Sequence, residues 1–572
     1  MTQLASYFKI DALSGFIGAF VGFFSLLAVI YSFGFMKGRP GLGRYYLYVF
    51  LTAAASLAAV FANNLVVFLV FWGFLGMLLY LLIDFGKKER APATAKKAFI
   101  IIGGTDAFMI LGVAILWSLS GTLDMDKISV TLDGRWAVAA YLCLAGGAFA
   151  KAGAMPFHTW VPDTAEDAPV PVAAFLPASL DKLLGIYFLT RLSLDVFRMN
   201  PAMNTVLMAA GSITIVAGVM MALVQHDLKR LLGYHAVSQV GYMVLGIGTG
   251  NPIGIAGGLF HMLNNAVYKS CLFFAGGSVE KQAGTTDLDR LGGLSRAMPA
   301  TFLVFLIASF AISGVPPLNG FASKWMVYQG VLETARAGGG LWVLWLLAAM
   351  VGSALTLASF MKLLHAVFMG QPYKGGPSDQ PSQEQKARLA PPAKAAGRGE
   401  PVLRDAPAFL LVPGIVLALL CVVFGVWAYR VPLKMLILPS LGGDVVFSGV
   451  WSSGVATLGL VLALLAGALI YFLGNAMKTR STPIFVGGES AEGHPEMRVS
   501  GTAFYNTIQE IGFLKTIYGW AAKKFFDVYE IGSRLTFGFN RVLRYIHNGV
   551  LPTYLSWCLL GMLVLFYVFF RS

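Results

Sequence analysis

The sequence predicts an all-α polytopic membrane protein of about 14 transmembrane helices, arranged as two inverted repeats with broken helices. Three observations lead there. The chain of 572 residues is 57% hydrophobic and 12% charged, with a mean hydropathy of +0.71, whereas a soluble globule carries roughly twice that share of charge. Apolar windows of about 20 residues recur along it. Two of these windows are interrupted by proline-containing stretches that lie beside lysines.

Taken in order, the windows fall near 8–31, 44–61, 65–83, 99–119, 137–155, 169–191, 203–224, 233–249, 253–276, 299–319, 340–368, 406–429, 448–473 and 550–570. The first is too long and too weakly basic at its start for a cleaved signal peptide, so it is expected to stay in the mature protein. Lys87, Lys88, Arg90, Lys96 and Lys97 are expected in one short connection. Such clusters mark a cytoplasmic loop and contact with anionic phospholipid. Lys37 and Arg39 mark a second inner loop, which puts the N-terminus outside. The net charge of +14 thus reads as membrane topology, with no nucleic acid as partner.

Residues 1–368 read as one transmembrane core and 369–405 as a polar loop rich in Pro, Gly, Lys, Gln and Ala. Two further helices are expected in 406–474. A polar segment with amphipathic interface helices is expected over 475–547, and a C-terminal transmembrane helix over 548–572. In 503–547, Lys515, Lys523, Lys524, Asp527, Arg534, Arg541 and Arg544 alternate at helical spacing with Ile511, Leu514, Phe525, Leu535, Phe539 and Ile546, a pattern that also suits a solvated connector.

Cys143, Cys271, Cys421 and Cys558 are isolated and show no CxxC spacing. Neither a metal site nor a disulfide framework is expected from them. No Walker A loop, dinucleotide-binding GxGxxG or GxSxG elbow is present. Redox or nucleotide chemistry that drove this chain would therefore belong to a partner subunit.

The breaks fall at Pro156, Pro162, Pro169, Pro171 and Pro177, and at Ser313-Gly314-Val315-Pro316-Pro317-Leu318-Asn319-Gly320. Proline removes an intrahelical bond, and a broken helix in a membrane is tolerated only inside protein or against a water-filled cavity. Lys151 and Lys324 sit beside the two breaks. The other ionisable residues in or near apolar windows are Asp106, His158, Asp181, Lys182, Lys229, His235, His261, Lys269 and Lys362. Charges there are normally kept to pair, to face water or to carry ions. His261, Asn265 and Lys269 recur every four residues and share one helical face. Asp181 and Lys182 are adjacent, so each is expected to meet a partner on another helix. Lys229, Lys362 and His365 lie near window ends, where snorkelling to the interface is the simpler reading. Ser238 and Gln239 read as helix glue.

Four motifs then stand in order: AKAGAMPFHTWVPDTAEDAPVPVAAF at 150–175, QHDLKRLLGYHAVSQVGYM at 225–243, FHMLNNAVYKSCLFFAGGSV at 260–279 and SGVPPLNGFASKW at 313–325. They resemble the antiporter-like membrane subunits of the complex I superfamily, which includes NADH-quinone oxidoreductase large subunits, energy-converting hydrogenase and formate hydrogenlyase subunits, and Mrp antiporter subunits. The resemblance implies a proton-translocating, alternatively sodium-translocating, subunit of a redox-driven complex in a prokaryotic inner membrane. It carries no cofactor of its own. Iron-sulfur clusters and flavin, nickel-iron or molybdenum centres would lie in a peripheral redox arm. The alternatives are a subunit of a secondary Mrp-type antiporter and a membrane scaffold that has lost its ion path.

By residue matching, the resemblance assigns proton handling to Lys151, Lys229, His261, Lys269 and Lys324. It moves Lys229 from snorkeller to relay. Asp106, His158, Asp181, Lys182 and His235 complete the candidate set. Three positions depart from the family pattern. Gly73 follows Trp72 where a glutamate is usual opposite the first lysine, and Pro177 and Asn265 replace histidines. Asp106 or Asp181 is expected to supply the missing charge, because an unpaired buried ammonium is destabilising.

Overall fold

A computed structural model describes residues 7–86, 88–336, 338–370, 404–441, 453–474, 502 and 505–571. The expected basic residue Lys87, most of the 369–405 loop and the start of the 475–547 segment lie outside the described residues. The chain divides into two compact units, Met1–Glu510 and Ile511–Ser572.

In the first unit, α1 (Ala12–Phe35), α2 (Leu42–Phe61), α3 (Leu65–Asp84) and α4 (Ala91–Ser120) are long apolar helices. They lead into α5 (Arg135–Ala152), α6 (Trp160–Asp167), α7 (Val170–Phe175) and α8 (Asp181–Arg191). Next come α9 (Pro201–Leu223), α10 (Leu228–Gly248), α11 (Pro252–Ala283), α12 (Pro299–Ser313), α13 (Asn319–Arg336) and α14 (Trp342–Leu364), followed by α15 (Ala408–Val426), α16 (Ser453–Leu473) and α17 (Asn506–Glu510). A small parallel pair, β1 (Val130–Thr131) with β2 (Phe197–Arg198), joins two loops on one face.

A helix that starts near lipid must satisfy its first amides locally. Asp11 and Ser14 form a reciprocal capping box on α1. Asn64 caps α3, Asn200 caps α9, Asp227 caps α10 and Asn251 caps α11. Pro201 and Pro252 occupy the first helical position, where no amide is needed. The same preference shifts one boundary. With proline in its first turn, α4 begins at Ala91, so Lys96 and Lys97 stand on a helix and not in the preceding connection.

Helices occupy all the expected windows. Among the described residues, nine are long and apolar enough to cross a membrane by length and composition. The expected count of about 14 is not reached on that measure, because α5, α10 and α11 are diluted by glycine, lysine and histidine, α12 has 15 residues, and α16 counts only as the shorter apolar stretch Thr457–Ile470. One helix was not expected at all. α13 turns Asn319, Ser323, Lys324 and Gln329 inward, so its hydropathy falls below that of an apolar window although it is packed within the bundle.

The two breaks use one device. At the end of α5, Gly153 takes a φ of +77°, and at the end of α12 Gly314 takes +83°. These are left-handed conformations that suit glycine. The path runs toward the face of the 84–91 connection in α5–α6, where Lys88 bonds the Glu166 carbonyl at 2.6 Å. It runs away from that face in α12–α13. Opposed directions around equivalent breaks are the signature of an inverted repeat. A third irregularity, the π-helical turn Leu176–Leu180, separates α7 from α8 and contains Pro177.

The second unit holds α18 (Gly512–Ala522), α19 (Val528–Ile546) and α20 (Leu551–Arg571). α19 lines Ile531, Leu535, Phe539 and Val542 along one exposed stripe and sets Arg534, Arg541 and Arg544 off it, the amphipathic pattern expected for this region.

α9 and α10 touch through glycine. A Cβ on Gly241 would lie 2.5 Å from the Gly211 carbonyl oxygen and 2.6 Å from the Ile215 amide. Gly241→Val is therefore expected to destabilise the bundle by about 1–3 kcal/mol or more, read as a lower apparent Tm of the detergent-purified protein. Gly73→Ala, where a Cβ meets nothing within 4 Å, should leave the Tm unchanged or slightly raised.

Candidate functional site

Each break leaves carbonyl groups at a helix C-terminus without a partner one turn on, and lysines reach them. Lys182 Nζ on α8 donates to the Ala152 carbonyl at 2.5 Å. Lys324 Nζ on α13 donates to the Ile312 carbonyl at 2.9 Å. The Trp160 indole takes the Ala150 carbonyl at 2.9 Å. Gly153 is required by space as well as by its φ, since a Cβ there would lie 3.0 Å from Lys182 Nζ and 2.5 Å from Val161 Cγ2.

Lys151, Lys182, Lys269 and Lys324 are all at most 2% exposed. The Lys151 ammonium stands 5.0 Å over the centre of the Trp72 ring and makes no hydrogen bond to protein among the described residues. The carboxylates that act on it are Asp181, the stronger, and Asp106. Asp181 also acts on Lys182, its neighbour in sequence. Lys182 in turn faces Lys269 electrostatically, and Lys269 Nζ donates to the Leu232 carbonyl at 2.8 Å. His235 senses Lys269, Lys324 and Lys362 and bonds Ser359 Oγ at 2.8 Å. His261 senses Lys324. Its ring is held by Ser323 Oγ at 2.9 Å on Nδ1 and by Gln239 Oε1 at 3.1 Å on Nε2, a pairing that suits the tautomer protonated at Nε2. Lys324 Nζ lies 4.8 Å over the Tyr242 ring. The result is a row, Lys151–Asp181–Lys182–Lys269–His235–Lys324–His261, that is buried and passes both breaks, with half-buried Asp106 at its first end.

Two expected residues lie off the row. His158 sits in the first break with Nδ1 3.3 Å from the Pro156 carbonyl. Lys229 lies at the membrane edge, yet it does not snorkel: its side chain is 2% exposed and pairs with Glu280 at 3.1 Å. Around it, Arg230 binds Glu166 at 2.6 Å and Asp163 at 3.3 Å, and Lys97 binds Asp163 at 2.9 Å. In the same loop network, desolvation and the like charge of Lys229 lower the pKa of Lys88.

Several expectations are corrected. On the shared face of α11, His261 bonds Ser323 of α13 and Gln239 of α10, Asn265 donates to the Ala178 carbonyl, and Lys269 donates to the Leu232 carbonyl of α10. Gln239 is part of the His261 cluster, whereas Ser238 is glue, bonded to the Ile215 carbonyl at 2.8 Å. Lys362 is 3% exposed and turns inward to the Leu223 and Gln225 carbonyls at 2.6 and 3.1 Å. Gly73 is exposed, so a side chain there would leave this chain's own bundle. The acids near Lys151 come from α4 and α8. Glu280 was missed; its signal was its place 11 residues after Lys269, three turns on along the same face of α11.

Comparisons with known proteins agree with this architecture. Residues 62–360 match the family described as NADH:quinone oxidoreductase/Mrp antiporter, TM, and residues 2–46 match the complex I chain 5 N-terminus. The chain is 32% identical to NADH-quinone oxidoreductase subunit N of Desulforudis audaxviator, over 73% of this chain and 81% of that one. It is 32% identical to NAD(P)H-quinone oxidoreductase chain 5 of Picosynechococcus sp., covering 64% of that protein. It is 30% identical to Na(+)/H(+) antiporter subunit A1 of Staphylococcus haemolyticus, spanning about half (52%) of its length. Among solved structures, an archaeal membrane-bound sulfane sulfur reductase superposes with a TM-score of 0.74 at 22% identity, over 98% of this chain and 89% of that one. The Mrp complex of Dietzia sp. superposes with a TM-score of 0.66 at 22% identity, over 75% and 83%. With its family match across more than half its length and its two opposed broken helices, this chain belongs to the NADH:quinone oxidoreductase/Mrp antiporter family of membrane subunits.

Proposed function

We propose that this chain is a proton-translocating subunit of a redox-driven, complex-I-like assembly in a prokaryotic cytoplasmic membrane. The observation that carries the reading is the row of ionisable side chains from half-buried Asp106 to buried His261, which act on one another electrostatically past both helix breaks. Bringing a carboxylate toward a buried lysine, or removing it, changes that lysine's proton affinity. One pKa unit is about 1.4 kcal/mol, and moving one charge across 100 mV takes about 2.3 kcal/mol. A rearrangement worth a few units is therefore large enough to drive a proton against the membrane potential.

In this reading the face of the 84–91 connection is cytoplasmic by its basic residues, and Glu280 and Lys229 form an entrance there. Lys151, Asp181 and Lys182 form the first relay. Lys269 and His235 form the bridge, and Lys324 with His261 forms the second relay. Electron transfer, with its iron-sulfur, flavin, nickel-iron or molybdenum centres, belongs to partner subunits of a peripheral arm. The similarity to the sodium/proton antiporter subunit supports a second reading, in which an ion gradient alone drives exchange.

The assembly purified intact through a tag on this chain, and sealed in vesicles, separates the two. The expected result is redox-driven acidification that Lys269→Ala reduces about tenfold or more at matched electron flux. Flux driven by a sodium gradient without any redox subunit would favour the second reading, and unchanged stoichiometry in Lys269→Ala would leave this chain a scaffold.

The pairing of Lys151 has its own test. Asp181→Asn removes the stronger of the two counter-charges, the buried one, and is expected to destabilise the protein by about 3 kcal/mol. Lys151→Met added to Asp181→Asn should restore most of the loss. Equal, additive losses in a double-mutant cycle on thermal unfolding would show that the two groups do not interact.

A further inference from the structure

The helices that end the two repeats close with the same pattern. Arg191-Leu192-Ser193-Leu194-Asp195-Val196-Phe197 ends α8, and Lys362-Leu363-Leu364-His365-Ala366-Val367-Phe368 ends α14. Each ends in a terminal π-helical turn, Leu192–Val196 directly after Arg191 and His365–Met369 three residues after Lys362. The repeats are inverted, so the two basic residues lie at opposite faces. Their surroundings differ. Arg191 is locked by the Asp11 carboxylate at 2.5 Å, by Asp195 at 2.8 Å and by the Tyr187 hydroxyl at 3.2 Å, and a guanidinium does not titrate in proteins. Lys362 is titratable, and its two close contacts are the Leu223 and Gln225 carbonyls.

Those carbonyls accept two N–H groups whether the nitrogen is ammonium or amine. The third position is left to carry a proton or a lone pair, so Lys362 can exchange a proton without losing its anchorage. Toward the membrane interior, Ser359 stands three residues back on the same face of α14 and bonds His235 of the buried row at 2.8 Å. Phe360 packs both against His235, with ring centres 4.8 Å apart, and under Lys269 at 5.8 Å. Toward the water, Asp289 from the loop after α11 acts on Lys362, and Asp289 pairs with His226 of the α9–α10 loop at 2.8 Å. Their side chains are 39% and 56% exposed. Thr502 also bonds Asp289. Beyond these groups, His365 is the remaining titratable side chain on the same turn of α14.

We propose that Lys362 is a proton port: it exchanges protons between His235 of the buried row and the aqueous face of the 84–91 connection through the Asp289–His226 pair, while at the equivalent end of the first repeat the ion-paired Arg191 has no proton to exchange. The step is a simple transfer. Protonated His235 gives its proton through the Ser359 hydroxyl to the Lys362 amine, and the resulting ammonium releases a proton to the Asp289 carboxylate and so to water, or the reverse. The inference rests on the translocation reading above.

The test compares Lys362→Arg, Lys362→His and Lys269→Ala in the intact assembly in sealed vesicles, with proton movement followed across pH. Arginine keeps the charge and the carbonyl bonds but cannot release its proton, so flux should fall about tenfold or more with assembly retained. Histidine should keep part of the flux, with the alkaline limb of the pH profile moved down toward its pKa of about 6.5. Should arginine block assembly, Lys362→Ala with methylamine added on the 84–91 face serves instead, and restored flux is the expected result. Full flux with an unchanged pH profile in Lys362→Arg, or no rescue by methylamine, overturns the port. If Lys269→Ala still abolishes flux, the port alone falls; if Lys269→Ala is also without effect, the translocation reading falls with it.

Discussion

The structure depends on one exchange, a lysine N–H given to a carbonyl that a helix break has set free. Within a bilayer an orphaned backbone carbonyl costs several kcal/mol, and so does an ammonium without a partner. Neither is stable alone in the middle of this bundle, and each resolves the other. Lys182 needs the Ala152 carbonyl and Lys324 the Ile312 carbonyl. Both carbonyls are free because Gly153 and Gly314 turn the chain into the left-handed region. The breaks hold the lysines at mid-bundle, and the lysines keep the breaks from being healed by helix or filled by water alone. A neutral amine still donates to a carbonyl, so this arrangement leaves the charge state free to change while the geometry stays fixed. An ion pair would not do that.

What the sequence revealed follows from which signals are local. The apolar windows and the two proline-bearing breaks are short-range patterns, and they placed the helices and their interruptions. The lysines beside the breaks were equally legible, because a charge in an apolar window is conspicuous. Residues whose character depends on a partner distant in sequence were not. Glu280 reads as the end of a helix until Lys229, 51 positions away in sequence, is found beside it in space. Lys362 reads as a snorkelling side chain until α9 is seen to present its last carbonyls to it. α13 was lost for a related reason. Its polar residues point inward, so the side chains that tie it into the bundle also remove it from a hydropathy scan.

Lys151 stands apart from the other buried lysines. Its ammonium has no carbonyl, and what holds it is the face of Trp72 together with the charges of Asp181 and Asp106. An aromatic face contributes about 2 kcal/mol when desolvated. A carboxylate adds an attraction that falls inversely with its separation from the ammonium. The first is fixed, whereas the second changes with every movement of α4 or α8. Lys151 is therefore the member of the row whose proton affinity responds most to a small displacement of its neighbours.

The origin of those carboxylates narrows how such a displacement could arrive. Family resemblance sets an acid at position 73, on a surface that in this chain faces outward. There it would serve an adjoining subunit as readily as Lys151. Here that position is glycine, and the acids are carried by α4 and α8 within the bundle. Asp181 shares its helix with Lys182, which is bonded to the very turn of α5 that carries Lys151. A shift of α8 against α5 must therefore alter the Lys151–Asp181 separation and the Lys182–Ala152 bond together, so the surroundings of Lys151 are coupled through this chain's own helices and not through a charge on the subunit's flank.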